Sequence, residues 1–174
     1  KDVLFAEALT NGDVLIPDGA GIVKACQWIK ARSQPMERIA GWDFFEIEMR
    51  KLNEKGGKCF FMGSSESTLE LVRQRTAMDY PNIVVETYSP PYKPEFSDED
   101  WIGMTAPKQE KWAYAHLNEL NVHCHIGTIG AVFDFFAGTV KRAPQCWQDH
   151  SLEWAYRLLK EPKRMWRRYI IGNM

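Results

Sequence analysis

A chain of 174 residues, 45% of them hydrophobic, is the size of one ordinary globular domain and apolar enough to bury a core. A formal net charge of −1 excludes a general nucleic-acid binder, whose affinity comes from neutralising phosphates along its surface. No apolar run approaches the ~20 residues needed to cross a bilayer, and Lys1-Asp2-Val3 does not open a signal peptide.

Short β-rich runs alternate with longer helical ones. Asp13 to Pro17 reads as a strand ending in the Asp18-Gly19 turn, with a helix over Ile22 to Ala31. Lys58 to Met62 reads as a second strand, closed by Gly63-Ser64-Ser65 and followed by a helix over Thr68 to Met78. Ile83 to Tyr88 and Trp101 to Met104 are further strands. Pro107 to Leu120 is a helix with Pro in its first turn, and Val122 to Ile129 a last strand. The alternation predicts an α/β fold with a mainly parallel sheet flanked by helices. One junction does not fit. Ser97-Asp98-Glu99-Asp100 has the marks of a helix start, yet the chain runs straight into strand-like Trp101. Two successive parallel strands also need a crossover of a dozen residues or more, usually helical, and Tyr88 to Trp101 offers only a Pro-rich loop, so residues are expected to be absent between Asp100 and Trp101.

Several spots suit chemistry. Asp18, at a strand's carboxyl end, is placed to act as a general base, although Asp-Gly by spacing alone reads as an ordinary turn. Gly63-Ser64-Ser65 presents backbone N–H groups and a helix N-terminus to a phosphate, but lacks the full Gly-rich patterns and by itself reads more readily as an ordinary capped helix. Asp98-Glu99-Asp100 spells a metal-binding Asp-x-Asp, whereas its position favours helix capping, and no metal is expected there. His123 and His125 point to one face of their strand and read as partly buried structural histidines. The scattered Cys26, Cys59, Cys124 and Cys146 read as reduced thiols of a cytoplasmic protein.

From Leu152 to Ile171 apolar residues recur near helical spacing, interrupted at Glu161-Pro162, with Arg157, Lys160, Lys163, Arg164, Arg167 and Arg168 among them. Such a segment suits either a lipid headgroup layer or a core-packed helix with a solvated basic face.

Five strings occur in one order along the chain: Ile16-Pro17-Asp18-Gly19; Glu37-Arg38-Ile39-Ala40-Gly41; Thr105-Ala106-Pro107-Lys108-Gln109-Glu110-Lys111-Trp112; Gly130 through Phe136 to Thr139; and Leu152-Glu153-Trp154 through Glu161-Pro162 to Arg167-Arg168-Tyr169. In that order they resemble the signature motifs of the WecG/TagA/CpsF glycosyltransferases. The resemblance implies a GT-E type fold, with a catalytic α/β domain over 1–150 and a helical membrane-proximal appendage over 151–174. It implies inverting, metal-independent transfer of an N-acetylmannosamine-type sugar from UDP to N-acetylglucosamine on undecaprenyl diphosphate, with no cofactor beyond the UDP-sugar donor. Asp18 matches the family's base, and Arg157, Arg164 and Arg167 the arginines that complete the site. Gly19, Gly63, Ser64, Thr105, Gln109 and Asp134 are the expected substrate-binding residues, and Lys163, Trp166 and Arg168 the membrane contacts. The expected partners are the UDP-sugar, the lipid-linked acceptor and the inner face of the plasma membrane, with a homo-oligomer left open.

Against the family pattern, a stretch before Lys1, a segment between Asp100 and Trp101, and a continuation past Met174 are expected to be missing. A non-catalytic UDP-sugar or lipid-sugar-binding module would keep Gln109, Asp134 and the arginines without needing Asp18 as a base. A nucleotide-sugar epimerase or dehydrogenase would need a Gly-rich dinucleotide fingerprint after the first strand, which is lacking.

Overall fold

Lys58–Met62 (β1) and Val84–Tyr88 (β2) pair in parallel, Lys58 opposite Val84 and Met62 opposite Tyr88. Parallel neighbours cannot be joined by a tight turn, and here the connection is the helix Glu66–Asp79 (α4). These elements belong to a computed structural model that describes residues 2–89, 107–119, 123–149, 152–160, 162 and 166. The other helices are Val3–Thr10 (α1), Ala20–Trp28 (α2), Gly41–Lys55 (α3), Lys108–His116 (α5), Val132–Phe136 (α6), Gln145–Asp149 (α7) and Glu153–Lys160 (α8). Mixed helix and a small parallel sheet make this an α/β protein. The chain divides into two compact units, Lys1–Val140 and Lys141–Met174.

Residues 69, 72 and 76 share one face of α4, and Leu69, Val72 and Thr76 are fully buried there. Around them gather Phe45 and Met49 from α3, Phe61 from β1, Ile83 at the start of β2, and Val132 and Phe136 from α6. The one polar member, Thr76, donates its hydroxyl to the Val72 carbonyl at 2.8 Å, so its burial leaves no unmet hydrogen bond. Ser65 caps α4 by accepting from the Thr68 N–H at 3.2 Å. Cys59 is half-buried, and burial pushes its thiol up to about 11, which keeps it protonated at neutral pH.

In the second unit, Trp147 of α7 meets Tyr156 of α8 edge to face at 5.8 Å, and Arg142 pairs with Glu153 at 3.3 Å. No helix among the described residues is long and apolar enough to cross a membrane.

Two expected strands are not strands. Residues 13–17 run without a neighbouring strand among the described residues to share hydrogen bonds, and Val14 and Leu15 stand 80% and 66% exposed. The described part of 122–129, from His123 on, is also irregular: it lies over the start of α3, where Gly127 approaches Phe44, in place of pairing with a sheet. The helix expected over 22–31 begins at Ala20 and ends at Trp28, and the one expected over 107–120 spans Lys108–His116 with Pro107 as its cap residue. Trp101 to Met104 and the Asp100–Trp101 junction lie outside the described residues.

Because Leu69 has no exposed surface and touches the packed face of α4, Leu69→Ala is expected to lower unfolding stability by about 2–5 kcal/mol. Urea denaturation checks this, with Ser65→Ala expected to cost about 1 kcal/mol through the lost cap. A Leu69→Ala loss no larger than that of the cap would place the core elsewhere.

Candidate active site

Asp18 lies in the irregular segment that leads into α2, not at the end of a strand. Its N–H donates to the Ile16 carbonyl at 3.0 Å, and Gly19 caps α2, so the Asp18 side chain is carried at the mouth of that helix and is exposed. A long-range bond ties this segment to the chain ahead of α3: the Ile39 N–H donates to the Pro17 carbonyl at 3.1 Å.

Ile39 and Ala40 in turn lead into α3. The Asp43 carboxylate accepts from the Ala40 N–H at 3.1 Å and so caps the helix from its own first turn. Gly41 comes next, and a Cβ there would stand 3.2 Å from the Ile129 carbonyl oxygen and 3.5 Å from Val132. Since the nearer atom is backbone, it cannot swing aside as a side chain would, and a larger residue at 41 requires the 129–132 segment to give by a few tenths of an ångström.

Gly130 follows, with φ +62°, in the left-handed region that side chains disfavour. Its N–H donates to Gln109 Oε1 at 3.2 Å, while Gln109 Nε2 donates to Glu110 Oε1 at 2.8 Å. The helix carrying Gln109 is itself braced by α1: Lys111 pairs with Asp2 at 3.0 Å, and Asn11 donates to the Tyr114 hydroxyl at 3.2 Å. The Lys111 ammonium holds the Asp2 carboxyl below its usual range.

Asp134 lies half-buried in the first turn of α6. Its carbonyl accepts from the Val140 N–H at 3.2 Å and the Thr139 hydroxyl at 3.1 Å, folding the end of the Gly130–Thr139 string back on its middle. At the other end of α6, Arg75 donates to the Phe136 carbonyl at 2.9 Å and lies over the Phe136 ring. Four of the five sequence strings are thus tied into one set within the first unit, through Pro17 to Ile39, Gly41 to Ile129, and Gly130 to Gln109.

Gly63 and Ser64 sit at the carboxyl end of β1, where open α/β sheets place ligands. Gly63 donates to the Tyr88 carbonyl at 3.0 Å, and Ser64 accepts at its carbonyl from the Ser89 hydroxyl at 2.8 Å. Both have positive φ, +112° and +62°, and for Ser64 that conformation costs about 1–2 kcal/mol.

In the second unit, Arg157 is half-buried in the last turn of α8, and Trp166 is exposed. Thr105, Lys163, Arg164, Arg167 and Arg168 lie outside the described residues, as does Asp98-Glu99-Asp100. The histidines depart from expectation: His123 is exposed, and the His125 side chain is 90% exposed, 3.6 Å from a Glu48 carboxylate oxygen. They sit on a surface segment, not on a strand face. Among the described residues no three His, Cys, Asp or Glu side chains converge as a metal site.

Sequence reasoning passed over Glu110, Asp43 and Arg75. Glu110 was within a quoted string, next to the residue it holds. For Arg75 no local signal exists, because its partner, Phe136, is distant in sequence.

The family model described as the glycosyl transferase WecG/TagA/CpsF family matches residues 1–174. The N-acetylglucosaminyldiphosphoundecaprenol N-acetyl-beta-D-mannosaminyltransferase of Bacillus spizizenii is 31% identical, covering 95% of this chain and 67% of its own. The protein of the same name from Bacillus subtilis is 30% identical, over 98% of this chain and 69% of its own. That from Staphylococcus aureus (strain MW2) is 29% identical, over 94% and 67%. With four motif strings joined by two hydrogen bonds and one close packing contact, and the family pattern running along its whole length, the chain belongs to the glycosyl transferase WecG/TagA/CpsF family.

Proposed function

We propose that this glycosyltransferase moves an N-acetylmannosamine-type sugar from UDP to N-acetylglucosamine on undecaprenyl diphosphate, with inversion and without a metal or other cofactor, in building a cell-surface polysaccharide such as a teichoic acid. The observation that carries this reading is the shared name of relatives 30–31% identical over 95–98% of the chain. Asp18 is the base. Its exposed carboxylate takes the proton of the acceptor hydroxyl as that oxygen bonds to the sugar's anomeric carbon and the bond to the UDP oxygen breaks on the opposite face.

Without a metal, the charge on the departing diphosphate falls to arginines, and Arg157, Arg164 and Arg167 are assigned to it. Gly19, Gly63, Ser64, Thr105, Gln109 and Asp134 line the donor side. The linkage of Asp18 to Gly130 and Gln109 through Ile39 and Gly41 supports a shared cleft for base and donor. In this reading 1–150 is a GT-E catalytic domain. The segment 151–174 is an appendage lying on the inner face of the plasma membrane, with Lys163, Trp166 and Arg168 among the headgroups.

Asp18→Asn is expected to lower kcat by about 10²–10⁴, with UDP affinity kept within about threefold, because it removes basicity and little volume. Steady-state kinetics beside calorimetric UDP titration check this, and equal loss of binding and rate would remove Asp18 as the base. Arg157→Ala is expected to depress kcat by about 10²-fold, whereas Lys163→Ala with Arg168→Ala should chiefly weaken sedimentation with anionic vesicles, an effect that fades as salt is raised. Sedimentation independent of anionic lipid would detach the membrane contact from this account.

A further inference from the structure

Glu110 is the residue of the first unit that the transfer reading leaves without a task, and it has an unusual environment. One carboxylate oxygen accepts from Gln109 Nε2 at 2.8 Å, while the other, Oε2, is shut off from solvent and has no hydrogen-bond partner among the described residues. A buried acceptor left unmet is costly, so the side chain is held there against its solvation. A carboxylate only accepts. Gln109 must therefore turn its NH₂ to Glu110, and this leaves its carbonyl oxygen, and nothing else, for the Gly130 N–H at 3.2 Å. The amide is a two-ended strut whose orientation Glu110 dictates, and the negative charge behind it strengthens the far bond.

The geometry points to Glu110 as a positioning residue that, through Gln109, clamps the left-handed turn at Gly130 and so sets α6 and Asp134. This rests on the proposal that Asp134 borders the donor. Glu110 touches no substrate. Loss of the strut leaves the Gly130 turn held on one side only, by the packing of Ile129 and Val132 on Gly41.

The test uses the full chain and two readouts. By amide hydrogen exchange without ligand, Gly130 is expected to exchange about tenfold faster in Glu110→Ala, and to be protected again in Glu110→Gln, whose side-chain carbonyl still accepts from Gln109. By kinetics with a UDP-sugar, Glu110→Ala is expected to raise the donor KM about tenfold with kcat changed less than about twofold. Unchanged exchange at Gly130 in Glu110→Ala, or exchange in Glu110→Gln as fast as in Glu110→Ala, overturns the clamp. If the wild-type chain transfers no sugar while the exchange pattern holds, the clamp stands and the transfer reading falls.

Discussion

Phe136 is where the first unit is joined. Its ring meets Phe45 edge to face at 5.0 Å, lies 6.4 Å from Trp42 and 6.3 Å from Tyr80, and carries the Arg75 guanidinium at 4.8 Å. Its carbonyl accepts from the same Arg75. One residue thus touches α3, α4 and the turn before β2, and aromatic contacts of this kind add about 0.5–1.5 kcal/mol each beyond the area they bury. Because Phe136 also ends the short helix that carries Asp134, the core and the candidate site share an element. Packing at Phe136 anchors the far end of the helix that carries Asp134.

Away from that junction, the site is assembled by backbone. Pro17 is held by the Ile39 N–H, the 129–132 segment by the missing side chain at Gly41, and Gly130 by an amide whose two ends are both occupied. Such contacts tolerate little change in residue size and say little about the chemistry they serve. The Asp18 side chain stands exposed beside these contacts, which suits a group that must meet a ligand. Strained Ser64 at the end of β1 belongs with it, since residues in disfavoured conformations persist where the surroundings impose them.

The β1–α4–β2 unit was legible in the sequence because each part carries its own signal: two apolar runs of strand length, a capping serine, and a helix with buried residues three and four apart. Residues 13–17 carry the same strand signal and are not a strand, since a strand also needs a neighbour, which no local pattern supplies. The long helix α3 is not among the expected elements, although Trp42, Phe45, Met49 and Leu52 have helical spacing. At five residues, α6 is too short to show a period at all. For the site, the motif strings marked Asp18, Gln109 and Asp134, while the bonds joining them connect residues far apart in sequence and could not be read from it.

In the proposed reading these linked strings form a transferase site for a UDP-sugar and a lipid-linked N-acetylglucosamine. Its most direct test offers the protein a short-chain diphosphate-linked N-acetylglucosamine and a panel of α-configured UDP-sugars, without added metal, and examines the product by mass spectrometry and NMR. The account predicts one added N-acetylhexosamine in β linkage, from the N-acetylmannosamine donor in preference to the others. Binding of UDP-sugar without any glycosylated acceptor, or a product that keeps the α configuration, would contradict it.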